Sequence, residues 1–186
     1  MKAIRILFAL LLCGAAAPGA AVAADAPSGF TSVDAAAARQ LVAPAAHRAP
    51  TILALWSAEC VHCKKNLALF AAMAKADPGL RLVTLAVEPA EPQLAAILDR
   101  FGVPGARFAY GDDAPERLAF AIDPDWRGEL PRTLFFDGRG GVKAVSGVVD
   151  EARTRALLGL GALTACAAAR PETLPPTSAC PQHPTQ

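Results

Sequence analysis

Residues 51–57, Thr-Ile-Leu-Ala-Leu-Trp-Ser, follow Pro50 and form a nearly continuous apolar run. A run of that length and composition reads as a strand buried on both faces, which belongs inside a sheet covered on both sides. Three residues later two cysteines appear, Cys60 and Cys63, in Cys-Val-His-Cys-Lys-Lys. The segment 60–76 carries apolar residues at Leu67, Phe70, Ala71 and Ala74, a helical spacing, and Asp77-Pro78-Gly79 ends it. A buried strand therefore delivers a pair of thiols to the opening of a helix.

The rest of the chain continues this alternation. Ser32 or Asp34 caps a helix over 35–43, stopped by Pro44. Residues 80–88 read as a second buried strand, and 92–102 as a helix with proline in its first turn and glycine at its end. A short strand over 106–110 and a helix over 115–122 follow. Residues 132–137 read as a strand that turns through Gly-Arg-Gly-Gly into 142–148, and a last helix over 150–160 has Asp150 as its cap. Strands separated by helices imply parallel pairing, and the hairpin adds antiparallel pairing. The expected fold is α/β, a central mixed sheet with helices on both faces.

The ends read differently. Lys2 and Arg5 precede a short apolar run, 6–12, and small residues follow through Ala24, the pattern of an export signal over 1–24. An uncleaved N-terminal membrane anchor is the alternative, and Cys13 falls within this leader. The domain is expected over 25–163 and a Pro-rich tail over 164–186. Formal net charge is +1, and loss of Lys2 and Arg5 takes it to −1, so no excess of positive charge draws nucleic acid or an anionic membrane. Outside the cytosol thiols are oxidised unless kept reduced. Beyond the leader stand Cys60, Cys63, Cys166 and Cys180, an even count that fits one local pair and one pair in the tail.

Three chemistries use paired cysteines. A structural zinc site wants four ligands; one pair stands at this stretch, with Cys180 and His183 as a second half-site in the tail. A staple across so small a loop removes little entropy from the unfolded chain. A redox pair fits better. The first turn of a helix has unpaired N–H groups and a positive dipole end, which stabilise a thiolate at Cys60. Lys64 and Lys65 add positive charge, and His62 adds more when protonated. Cys60 is then the nucleophile and Cys63 the resolving thiol. Cys166 and Cys180 are expected to form a structural disulfide, with a second redox pair as the other reading.

Leu-Trp-Ser-Ala-Glu-Cys-Val-His-Cys-Lys-Lys, Leu-Val-Thr-Leu-Ala-Val-Glu and Glu-Leu-Pro-Arg-Thr-Leu-Phe-Phe-Asp together resemble the thioredoxin superfamily, in particular its exported TlpA/ResA-type thiol-disulfide oxidoreductases. The resemblance covers roughly residues 50–160. It implies a thioredoxin-like fold, a cis Leu130–Pro131 bond beside the cysteines, and a short α-β insertion within 92–122. It implies disulfide reduction in exported cysteine-containing partners, with electrons from a membrane thiol carrier in the periplasm and no organic cofactor or metal. Leu130, Pro131, Trp56 and Trp126 are the expected substrate contacts, with Trp56 partly packed and Trp126 equally readable as loop packing. His62 and Lys64 are the expected redox tuners. Two features depart from the family. Asn66 stands where many members carry glutamate, and Val61-His62 replaces their usual dipeptide. A histidine before the second cysteine is similar to DsbA-type oxidases, so an oxidase role stays open, as does a copper-binding thioredoxin-fold chaperone. Glu59 and Glu88 are the remaining nearby acids.

Overall fold

The computed structural model describes residues 29–161. The leader 1–24, the tail 164–186 and the Cys166–Cys180 pairing lie outside the described residues. Within them the order is β1 (Thr31–Val33), α1 (Ala35–Leu41), a 3-10 turn (Pro44–Ala46), β2 (Thr51–Trp56), α2 (Val61–Ala76), β3 (Arg81–Pro89) and α3 (Pro92–Phe101). Then come β4 (Arg107–Tyr110), α4 (Pro115–Ile122), β5 (Arg132–Phe136), β6 (Val142–Ser146) and α5 (Glu151–Leu157). The six strands form one sheet in the order β1-β4-β3-β2-β5-β6. β1, β4, β3 and β2 run parallel, and β5 and β6 join antiparallel. This is the expected α/β architecture, a central mixed sheet covered by helices on both faces.

β2 lies inside the sheet between β3 and β5, and all six of its residues are buried. The pleat sends Ile52, Ala54 and Trp56 to one face and Leu53 and Leu55 to the other. The first face is covered by α2, through Cys63, Leu67 and Phe70, and by Leu94 and Leu98 of α3, with Leu158 at the end of α5. The second is covered by Ala35 and Ala38 of α1, Leu118 and Ile122 of α4, and Trp126. No helix among the described residues is long and apolar enough to cross a membrane.

Local chemistry sets the element ends. Asp34 and Asp150 each accept a backbone N–H at 2.7 Å at the start of α1 and α5. Prolines open α3 and α4, and Gly102 closes α3 in the left-handed conformation. Asp137 accepts from the N–H groups of Arg139 and Gly141 in the β5–β6 turn, and these donors hold its carboxyl below the ordinary aspartate range.

Strand β1 is the element not expected from the sequence. Three residues carry too little alternation to show a period, and only Val33 of the three is buried. Its partner is far away in the chain, with Val33 opposite Tyr110. The Ala35 N–H donates to Asp113 at 2.8 Å, fastening the start of α1 to the loop after β4.

The approach to β4 has no room for a side chain at Gly105. Its φ is +89°, and a Cβ there would stand 2.1 Å from the Leu82 carbonyl oxygen of β3. Gly105→Ala should cost roughly 1–3 kcal/mol from backbone conformation alone, with the clash in addition. Urea unfolding of the full chain measures this, and a midpoint equal to that of the unsubstituted protein would contradict the packing described.

Candidate functional site

Beyond Trp56 the chain turns sharply, with the Cys60 N–H donating to the Ser57 carbonyl at 3.2 Å. Cys60 is then the N-cap of α2, its backbone extended, and its Sγ accepts the N–H of Cys63 at 3.1 Å. A short sulfur-ended side chain thus fills the place that serine or aspartate fills at other helix starts. The two sulfurs are bonded, 2.02 Å apart, with the Cα atoms 5.2 Å apart. Cys63 is 1% exposed and packs against the core, whereas Cys60 is only half-buried. The Cys60 side of the bond is the one open to an outside thiol.

The electrostatics are one-sided. The 16-residue α2 has no acidic residue in its first turn, while Lys64 and Lys65 follow Cys63. The positive end of the helix dipole therefore meets Cys60 with no carboxylate from the first turn to oppose it. Glu59 is exposed, and the carboxylate that enters the turn comes from elsewhere. Trp56 lies opposite Ala86 in the register of β2 and β3, and Glu88 stands two residues on, where the pairing of β3 with β4 shifts register. Its Oε1 accepts the N–H of Ala58 at 2.5 Å, pinning the turn between β2 and Cys60.

Asn66, a neutral amide, forms a bracket. It is 2% exposed, donates to the Gly147 carbonyl at 3.1 Å and accepts the Val149 N–H at 3.2 Å. The Gly147 N–H in turn donates to the Pro131 carbonyl at 2.9 Å. The Leu130–Pro131 bond is cis, Pro131 is buried, and Leu130 packs against the core clusters of both sheet faces. On either side of it Arg132 pairs with Asp123 at 2.5 Å and donates to Ser146 at 2.8 Å, and Ser146 donates to Glu129. That hydroxyl, more than any other neighbour, holds the Glu129 carboxyl below its usual range. Three segments, the helix with the cysteines, the Leu130–Pro131 loop and the loop after β6, are tied to one another.

The structure bonds Cys60 to Cys63, has the Lys64 backbone N–H donate to the Cys60 carbonyl at 3.3 Å, and packs Cys60 and Leu130 on one core cluster. It corrects the reading of Trp56 as partly open. Trp56 is 0% exposed, because β2 is covered on both faces, so no part of its ring lines an open groove, and its indole N–H is unpaired. Trp126 is buried in the opposite cluster, against α1 and α4, and its indole N–H donates to the Glu129 carbonyl at 2.8 Å. It fastens the loop that leads to Leu130. His62 is exposed, and its ring donates to neither sulfur in this oxidised state. Among the described residues no three His, Cys, Asp or Glu side chains gather as a metal site.

No family model and no curated protein matches the chain. Solved structures do resemble it. One is a secreted Mycobacterium tuberculosis disulfide oxidoreductase homologous to Escherichia coli DsbE, at 18% identity over 61% of this chain and 80% of that one, TM-score 0.46. Another is a thioredoxin-family thiol:disulfide interchange protein from Chlorobium tepidum, at 18% identity over 61% and 79%, TM-score 0.49. A third is StoA from Bacillus subtilis, at 17% identity over 60% and 83%, TM-score 0.44.

Removing the Glu88 acceptor should loosen the turn ahead of Cys60. Glu88→Ala leaves the Ala58 N–H without its partner and should cost about 1–3 kcal/mol, while Glu88→Gln, which keeps an acceptor oxygen, should cost less. Denaturant unfolding of the oxidised protein separates them, and two variants as stable as the parent would contradict the contact.

Proposed function

We propose that this chain is a thiol-disulfide oxidoreductase that reduces disulfides in exported polypeptides. The observation that carries this reading is the Cys60–Cys63 disulfide at the N-terminus of α2, with the outer sulfur accessible and the inner one buried. In the reduced protein the Cys60 thiolate attacks one sulfur of a partner disulfide. That bond breaks, and the other partner sulfur leaves as a thiolate and takes up a proton. Cys63 then gives up its proton and attacks the Cys60 sulfur, releasing the second partner sulfur and closing the Cys60–Cys63 bond. Two electrons and two protons pass to the partner, and an external dithiol, for which we propose a membrane carrier, restores them.

The chain's own groups serve each stage. The Cys63 N–H and the first turn of α2 stabilise negative charge on Cys60, and Lys64 adds to their field. Leu130, on the same core cluster as the cysteines, and Pro131 beside it present backbone to an extended partner strand. His62, on the exposed first turn, tunes the reduced state. The leader over 1–24 supports export to the periplasm, and oxidation there fits a structural Cys166–Cys180 bond.

Trapping tests the order of events. Cys63→Ser should accumulate a mixed disulfide with a disulfide-bonded polypeptide, because attack proceeds and resolution does not, while Cys60→Ser should accumulate none. Trapping through Cys63 instead would reverse the assignment. A reduction potential of about −270 mV, the thioredoxin range, is expected for a reductase; about −120 mV, the DsbA range, would contradict the direction.

A further inference from the structure

The turn between β2 and α2 holds a carboxylate that the exchange steps above do not use. Glu88 lies at the break in register between β3 and β4. Ala86 stands opposite Ala109 and Pro89 opposite Tyr110, so Val87 and Glu88 fall where β4 offers no partner. Such an irregularity frees a side chain from the alternation of the strand and re-aims it. Here Glu88 accepts the N–H of Ala58, and the carbonyl of that same peptide group, from Ser57, accepts the Cys60 N–H at 3.2 Å. One peptide unit therefore joins the carboxylate to the outer cysteine, with Oε1 within about 8 Å of the Cys60 nitrogen. Glu88 is half-buried, Glu59 is exposed, and α2 has no acidic residue in its first turn. Among the described residues, Glu88 is the acid whose side chain bonds segment 57–60.

Resting on the redox reading above, we propose that Glu88 is a positioning residue that fixes a negative charge beside Cys60, through the Ser57–Ala58 peptide, and thereby holds the Cys60–Cys63 couple reducing. The two redox states differ in charge at that place. In the disulfide neither sulfur is charged. Two glutathione thiols convert it to a Cys60 thiolate and a Cys63 thiol, forming one glutathione disulfide and releasing one proton. The helix start favours that thiolate. A carboxylate fixed nearby opposes it and leaves the neutral disulfide untouched.

The bond to Ala58 keeps the carboxylate against the turn instead of out in solvent, where water and salt would screen it. It also polarises the Ser57 carbonyl and tightens its hold on the Cys60 N–H. That hold acts on the oxidised and reduced proteins alike, so it cancels from their ratio. The charge does not cancel. Its bias is toward giving electrons away, which suits a donor to disulfides that are themselves hard to reduce.

The test equilibrates the full-length protein with graded glutathione buffers at about pH 7. The fraction of dithiol is read by alkylation and mass on the peptide that carries both Cys60 and Cys63. Glu88→Gln keeps an acceptor for Ala58 and removes the charge. It should move the equilibrium about threefold to tenfold toward the dithiol, the effect of a unit charge about 10 Å away near a protein surface. That is a rise in potential of about 14–30 mV. Glu88→Ala removes charge and acceptor together and should raise the potential too; it decides the question if the Gln variant does not fold. A potential in Glu88→Gln equal to the parent's, or lower, overturns the inference and leaves the redox reading standing. A shift in Glu88→Ala with none in Glu88→Gln assigns the effect to the hydrogen bond and overturns it as well. A parent whose Cys60 and Cys63 do not exchange with glutathione overturns the redox reading and this inference together.

Discussion

A sulfur atom at a helix start is the constraint on which the site depends. The Cys63 N–H points at the Cys60 sulfur because Cys60 is the residue at which extended backbone becomes helix. That position follows from β2, which is buried on both faces and so has its direction and depth set by the core rather than by the loop. Only Ser57, Ala58 and Glu59 separate Trp56 from Cys60, so little slack exists between the sheet and the sulfur. The Glu88 contact to Ala58 removes part of what remains. A helix start stabilises whatever negative charge is placed on it; here the group is a thiol that can leave its disulfide as a thiolate.

Around that sulfur the protein invests in rigidity between segments. Asn66, Gly147 and Pro131 form a continuous chain of hydrogen bonds from α2 to β5. Arg132, Ser146, Glu129 and Asp123 form a second, charged brace on the same two loops. The Arg132–Asp123 pair is largely shielded, each side chain being 13% exposed, so it is screened by salt far less than a surface pair. Loops held in this way can meet an extended chain without first paying the entropy of ordering themselves.

Much of this was legible in the sequence, for identifiable reasons. The β2–α2 junction was readable because an uninterrupted apolar run and a helical spacing abut at the cysteines. Caps at Asp34 and Asp150, and prolines at the openings of α3 and α4, were readable because each acts on its own neighbours. What could not be read depends on contacts between distant residues. Strand β1 exists through its pairing with β4, 77 positions along between Thr31 and Phe108. Asn66 looked like a lost acid, and its role depends on partners 81 and 83 residues away. Trp56 was misplaced because a residue type shows that a side chain is large and amphipathic but not which face of the sheet covers it. Trp56 ends a strand and looked open; the fold closes over it completely.

The central claim is that Cys60 is held as a thiolate by the first turn of α2. The direct measurement is the thiolate absorbance of the reduced protein near 240 nm as a function of pH, repeated on Cys60→Ser. The account predicts one thiol titrating well below the value of about 8.5 for free cysteine, lost in the Cys60→Ser protein. Two thiols titrating together at about 8.5 would contradict it.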